Sequence, residues 1–343
     1  YRRKKVEYDL WTAAFFWKME AQPGAAGILA PTQEMLRRHR AGGTLPPELV
    51  RRVEELAERL NFLHWDLRFP KVFAGNQPGF NCVLGNPPWE MVQLDPQEFF
   101  ATSAPDIANA LNMSVREKMI EQSAINNPPL FKLYQTALHD MEAQQKFIHE
   151  SRRFPYTSYG RINLMALFAE LCLHLISPLG KSGIVIPTGI ATDSFNQYFF
   201  QKVTKDKRLV KLIGFENEEF IFPGIANVVR FCLFVVSGID AKEEKPTFAF
   251  YLRKLSQLSD QHRFFELSTD DLKLLNPNTG TCPIFRNKTD AELTKAIYSR
   301  VPILVDETHE ENPWGFKGIL MFMMNTDSKY FSVKRQDDYL PLY

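Results

Sequence analysis

The amino-acid sequence predicts an α/β fold built on a mostly parallel sheet with an antiparallel edge. Three observations carry this expectation. Helical and strand patterns alternate from residue 163 to about 240, a short apolar run at Phe80–Gly85 stops abruptly at a Gly-Asn-Pro-Pro turn, and the strand patterns are apolar enough to be buried. With 343 residues, 45% of them apolar, the chain can bury one large core and a smaller second one.

Residues 1 to about 63 form the first expected unit. Leu49, Val53, Leu56, Leu60 and Leu63 recur at helical steps behind Pro46-Pro47, and Gln22–Ala26 and Ala41–Thr44 read as glycine-containing connectors. Residues 64 to 255 form the second unit. It opens with Phe80–Gly85 as a buried strand, followed by a polar helical insertion at about 91–155 that is long for a simple connection. Leu164, Leu167, Phe168, Leu171 and Leu175 mark one face of the next helix, which Pro178 and Gly180 break before a strand at Gly183–Ile186. Asp193 caps a helix to about Thr204, with strands at Leu209–Phe215 and Val228–Val236. The charged run Asp240–Lys245 before Pro246 marks the end of the sheet or an edge hairpin. A further domain is expected over 256–343.

Charge and cysteine usage exclude several classes. Lys plus Arg number 41 against 40 Asp plus Glu, so a nucleic-acid contact would need a local basic face. Cys82, Cys172, Cys232 and Cys282 lie far apart, which excludes a disulfide framework and a zinc site and suits reduced thiols in a cytoplasmic protein. No apolar run reaches the roughly 20 residues of a membrane span. The chain starts at Tyr1 and is read as a piece of a longer protein.

The run Phe80-Asn81-Cys82-Val83-Leu84-Gly85-Asn86-Pro87-Pro88-Trp89 places Asn-Pro-Pro-Trp directly after a strand, where open α/β sheets bind ligands. It resembles the catalytic motif of γ-class DNA adenine-N6 methyltransferases of the Eco57I-like restriction-modification and phage-defence family. His64-Trp65-Asp66-Leu67-Arg68-Phe69-Pro70-Lys71-Val72-Phe73, Gly160–Leu164, Gly183–Pro187, Phe222-Pro223 and Thr281–Arg286 also resemble that family's segments, in order. The resemblance implies the C-terminal part of a Rossmann-like methyltransferase sheet, the start of a target-recognition domain, S-adenosylmethionine as cofactor, and double-stranded DNA and defence-system subunits as partners.

Methylating an exocyclic amine requires localising a lone pair that is delocalised into the ring. The side-chain oxygen of Asn86 and the carbonyl of Pro87 can accept the two amine hydrogens and strengthen those bonds as the nitrogen becomes tetrahedral. Pro87 and Pro88 keep the loop rigid, and Trp89 offers a surface for a flipped-out base, with Phe222 on another side by resemblance. Expected cofactor contacts are Trp65, Asp66 beside His64, and Asn163, whose alternative role is to cap the helix at Leu164. Arg152, Arg153, Tyr159 and Arg161, with Tyr156 among them, form the expected DNA-contacting cluster.

The sequence departs from the family in lacking a glycine-rich cofactor turn: it has 17 glycines and no Gly-x-Gly. The first strands of the sheet and the main cofactor anchor are therefore expected upstream of Tyr1. The same motif also suits a protein-glutamine or RNA-adenine methyltransferase, and the chain could be a DNA-binding defence subunit without activity. The helical insertion and the region after the sheet favour DNA.

Overall fold

The computed structural model describes residues 1–18, 30–307, 309, 312–319 and 321–332. The connector expected over Gln22–Ala26 lies outside them. The N-terminal unit is helical as expected, with α1 (Arg2–Phe16), α2 (Gln33–Arg40) and α3 (Pro47–Arg59) closing on a small core of Leu10, Ala13, Leu36, Leu49 and Val53. Helix α3 stops at Arg59 because Asn61 turns the chain at φ 52° and the Phe62 amide bonds back to the Ala57 carbonyl at 2.9 Å. Leu60 and Leu63, grouped with this helix from spacing alone, therefore fall outside it.

A short helix α4 (Trp65–Arg68) leads to strand β1 (Phe80–Gly85). The insertion is helical, in four pieces: α5 (Pro96–Phe100), α6 (Pro105–Ala108), α7 (Met113–Asn126) and α8 (Pro128–Glu150). It has its own core around Phe100, Ile107, Ile120 and Leu130. Its long helix α8 also docks on α1 through Phe147, whose ring meets those of Trp11, Phe15 and Phe16 at 5.4–6.1 Å between centroids.

Helix α9 (Leu164–Leu175) runs directly into β2 (Ile176–Pro187), followed by α10 (Gly189–Thr192), α11 (Gln197–Lys205), β3 (Leu209–Glu216), β4 (Arg230–Ser237), β5 (Thr247–Leu252), β6 (Phe265–Glu266), α12 (Thr269–Leu275) and α13 (Lys288–Tyr298). The six strands form one sheet in the order β1-β2-β4-β3-β5-β6. Strands β1, β2, β3 and β5 share one direction; β6 is antiparallel at the edge and β4 is antiparallel between β2 and β3. This is the α/β, Rossmann-like class that the sequence predicts, with one inserted antiparallel strand that periodicity could not orient.

Several local expectations are corrected. Strand β1 is not buried: it pairs only with β2, so Asn81, Cys82, Leu84 and Gly85 stay exposed and Leu84 keeps 79% of its surface. Pro178 and Gly180 lie within β2 and do not precede it. Between the Phe80–Ile176 and Cys82–Lys181 pairs β2 bulges, and Gly180 comes so close to the Phe80 carbonyl that a side chain there would collide with it. The face of α9 turned to the sheet is Met165, Ala166, Ala169, Cys172 and Leu173, while Phe168 points outward. Small residues let the helix sit close to the strands, a preference the leucine spacing hides. Strand β4 starts at Arg230 and not at Val228, because the preceding residues belong to a tied loop.

The sheet does not end near residue 240, since β5 and β6 extend it. The chain also shows no break in packing at 256: Phe265, Leu267, Leu272, Cys282 and Ala291 join the same core as Leu212, Phe234 and Phe248. Burial in that core pushes the Cys232 and Cys282 thiols far above their ordinary range. Among the described residues no helix is long and apolar enough to cross a membrane.

Candidate active site

Asn86-Pro87-Pro88-Trp89 leaves the C-terminal end of β1 at the rim of the sheet. Asn86 is exposed, and its carboxamide makes no hydrogen bond among the described residues. Trp89, in contrast, is fixed at two points. Its indole N–H donates to the Val185 carbonyl at 3.1 Å, one residue beyond the last β1–β2 pair, Gly85–Ile184. Its own carbonyl accepts from the Asn163 side-chain amide at 3.1 Å. The Trp89 ring then stacks on Phe231 at 6.2 Å and 25° and meets Phe222 edge-on at 5.8 Å and 79°.

Asn163 caps the helix, the alternative role the sequence offered, and also ties the loop. Its side-chain oxygen caps α9 by accepting from the Met165 amide at 2.8 Å, while its nitrogen holds the outgoing limb of the loop. Backbone bonds Leu164 N–H to Glu90 and Val92 N–H to Ile162, each 2.9 Å, complete this junction.

Phe222 sits in the segment between β3 and β4, and its position depends on Asn217, a residue the sequence reading missed. Asn217 is fully buried; its side-chain nitrogen donates to the carbonyls of Phe222 and Ile225 at 3.0 Å, and its oxygen accepts from the Phe222 amide at 3.0 Å. The available signal was an asparagine directly after a strand-ending Glu216, a residue type that ties turns to its own side chain. Asn217→Ala is expected to cost about 1–3 kcal/mol, because buried backbone groups lose their partners. Faster hydrogen exchange at the Phe222 amide, with a lower urea midpoint, checks this; native exchange there would refute it.

The expected cofactor residues Trp65 and Asp66 lie elsewhere. Trp65 stacks on Phe69 at 5.7 Å and meets Phe80 edge-on at 6.1 Å, at the start of β1. Five strand steps of about 3.4 Å separate that end from the Asn-Pro-Pro-Trp loop. Asp66 accepts from the Tyr8 hydroxyl at 2.9 Å and pairs with Lys4 at 3.4 Å, while His64 bonds the fully buried Asp9 at 2.8 Å. These side chains join the N-terminal helices to α4, and their contacts lie away from the loop.

The residues expected to contact DNA, Arg152, Arg153, Tyr159 and Arg161, are all exposed. The Arg153 guanidinium lies 4.9 Å over the Trp11 ring, at the junction of α1 and α8. Arg152, at φ 60°, and Arg161 are exposed, and Tyr159 packs on Tyr198 at 4.8 Å. The turn that joins these residues is pinned by Glu170 on α9, fully buried, which accepts from the Thr157 hydroxyl at 2.6 Å and the Tyr156 amide at 3.3 Å.

Burial holds the Glu170 pKa above its ordinary value near 4.5. A raised folded-state pKa means that the contribution of this group to stability is fully present below that ordinary value and is lost as pH rises through the folded one. Glu170→Gln keeps the acceptor and removes the titration. The fall in thermal midpoint from about pH 5 to about pH 8 is therefore expected to be smaller in the variant than in the wild type. An equal fall in both proteins would refute this origin.

Among the described residues, no three or more His, Cys, Asp or Glu side chains gather as a metal-ligand set. No protein-family model matches the chain, and no curated protein does. Solved restriction enzymes share part of its shape. The chain is similar to a DrdV–DNA complex at 11% identity over 56% of this chain and 17% of that one, with a TM-score of 0.30. It is similar to the ATP-dependent Type ISP restriction-modification enzyme LlaBIII bound to DNA at 9% identity, over 65% of this chain and 13% of that one, with a TM-score of 0.30. A third is the modification subunit of a candidate type I restriction enzyme from Vibrio vulnificus YJ016, at 11% identity over 69% and 64% of the two chains, with a TM-score of 0.29. The chain spans less than two thirds of each of these proteins. Its chemistry is therefore read from its own geometry.

Proposed function

We propose that this chain carries the base-holding site of an S-adenosylmethionine-dependent DNA adenine-N6 methyltransferase of a restriction-modification or phage-defence system. The observation that carries this reading is the contrast within one loop: the Asn86 carboxamide is exposed without a hydrogen-bond partner among the described residues, while Trp89 three residues later is fixed by two hydrogen bonds and two aromatic neighbours. A substrate amine approaching Asn86 meets an unoccupied acceptor beside a rigid aromatic wall.

In this reading the Asn86 oxygen and the Pro87 carbonyl accept the two hydrogens of the adenine amine and draw its lone pair out of the ring. The prolines fix the backbone that carries both acceptors, including the Pro87 carbonyl, before the base arrives. Trp89 and Phe222 hold the extruded base; such stacking contributes roughly 1–3 kcal/mol toward the cost of flipping. The methyl donor is S-adenosylmethionine by resemblance alone. Of the side chains that the sequence assigned to it, Trp65 and Asp66 are engaged at the start of β1 and against the N-terminal helix, and Asn163 spends its amide on the loop and the helix cap.

Mass spectrometry of nucleosides from duplex DNA incubated with the protein and S-adenosylmethionine tests the reading. N6-methyladenine supports it. Methyl groups found instead in RNA or on protein glutamine would replace the substrate, and their absence from every acceptor would leave a binding subunit.

A further inference from the structure

Along the rim of the sheet that carries Asn86 and Trp89, the ends of β3 and β5 and the start of β4 open a cleft of about 750 Å³. Arg230, Arg253, Arg263 and Arg286 line it around Tyr251. The chain as a whole is almost neutral, at +1, so a local gathering of four arginines is no by-product of composition. Three carboxylates answer the four arginines, among them Glu218, 2.7 Å from Arg253. Glu216 sits 2.9 Å from Arg253 and 3.3 Å from Arg230, and Asp260 pairs with Arg263 at 3.1 Å.

The positive surplus is centred on Tyr251. The guanidinium carbons of Arg230 and Arg286 lie 5.7 and 5.8 Å from its ring centroid, and Arg286 makes no ion pair among the described residues. Tyr251 itself has φ 59°, where a side chain is rarely found, at the irregular register between β3 and β5. An arginine held against an aromatic ring keeps its planar donor fork available for an oxyanion, and this shape suits phosphate better than a lysine ammonium does.

We propose that this cleft is a phosphodiester-binding subsite that grips the DNA backbone to one side of the base pocket. This rests on the DNA reading above and adds where the strand runs. Three strand spacings of about 4.8 Å separate β2, which anchors Trp89, from β5, or roughly 14 Å. At 3.4 Å of rise per nucleotide that is about four steps along one strand. A grip at that distance positions the duplex without reading sequence.

The test is fluorescence anisotropy of a duplex of about 30 base pairs, titrated with the protein at several NaCl concentrations. Arg230→Gln/Arg286→Gln is expected to bind about tenfold more weakly at low salt, with the slope of log affinity on log NaCl shallower by about 1.8, at about 0.9 per phosphate. Arg230→Lys/Arg286→Lys should restore most of the slope. Lys211→Gln/Lys245→Gln removes the same charge from the groove at the opposite end of β3 and β5 and should leave the slope unchanged. Thermal midpoints of all variants report folding, and added inorganic phosphate separates a free-anion site from a backbone grip.

A wild-type slope in the glutamine variant, or an equal loss in the lysine-groove variant, overturns the proposal. So does relief of DNA binding by millimolar phosphate without change in the arginine variant. A shallower slope together with no methyl transfer by the wild type would leave this subsite standing and remove the proposed reaction. Methyl transfer with an unchanged slope would do the reverse.

Discussion

Asn86→Ala is expected to lower methyl transfer about 10²–10³-fold, the usual effect of deleting one prearranged group that acts on developing charge. DNA affinity should stay within about twofold, because in the proposed reaction Asn86 acts on the amine and not on the backbone. The substitution should also leave stability nearly unchanged, since the carboxamide is exposed and bonds to nothing among the described residues. Single-turnover transfer measured beside anisotropy separates these effects. A parallel loss of rate and affinity would make Asn86 a binding residue and remove its role at the reacting nitrogen.

Phe231→Ala is expected to cost about 3–5 kcal/mol of stability, as for other large-to-small changes at buried aromatic positions. Phe231 is 3% exposed and touches three rings: Phe215 at 5.3 Å and 5°, Phe222 at 4.9 Å, and Trp89. Removing it leaves a void beneath the base-holding pair, so capture of a flipped base should weaken as well, read as a smaller change in 2-aminopurine fluorescence on binding. Phe231→Leu, closer in volume, should lose much less stability. A urea midpoint for Phe231→Ala equal to that of the wild type would show that neighbours refill the space and that Phe231 does not support the wall.

The α/β class and the position of the Asn-Pro-Pro-Trp loop at a strand end were legible because both are local patterns: an apolar run ending at Gly-Asn-Pro-Pro, then alternating helices and strands. What stayed hidden depends on partners distant in sequence. The exposure of Leu84 follows from which strands β1 lacks beside it, and no periodicity within β1 reports that. Trp65 and Asp66 adjoin the catalytic strand in sequence, yet they lie at its opposite end because a strand carries its two termini far apart. The contact of Arg153 with Trp11 of the first helix spans most of the N-terminal half of the chain, and no local pattern around 152–161 reports it. Arg230 and Arg286 meet over one tyrosine across a gap in sequence that no short motif spans.

The continuity of α9 and β2 has a mechanical consequence. The first residue of this unit, Asn163, grips the Trp89 carbonyl, and a residue near its far end, Val185, grips the Trp89 indole. Helix, strand and tryptophan thus close a ring, and swinging Trp89 aside would require breaking both clasps at once. This side of the pocket behaves as a fixed anvil, not a lid. In the proposed reaction the travel needed to bring base and acceptors together then falls to the nucleic acid, which has to deliver its base to a wall already in position.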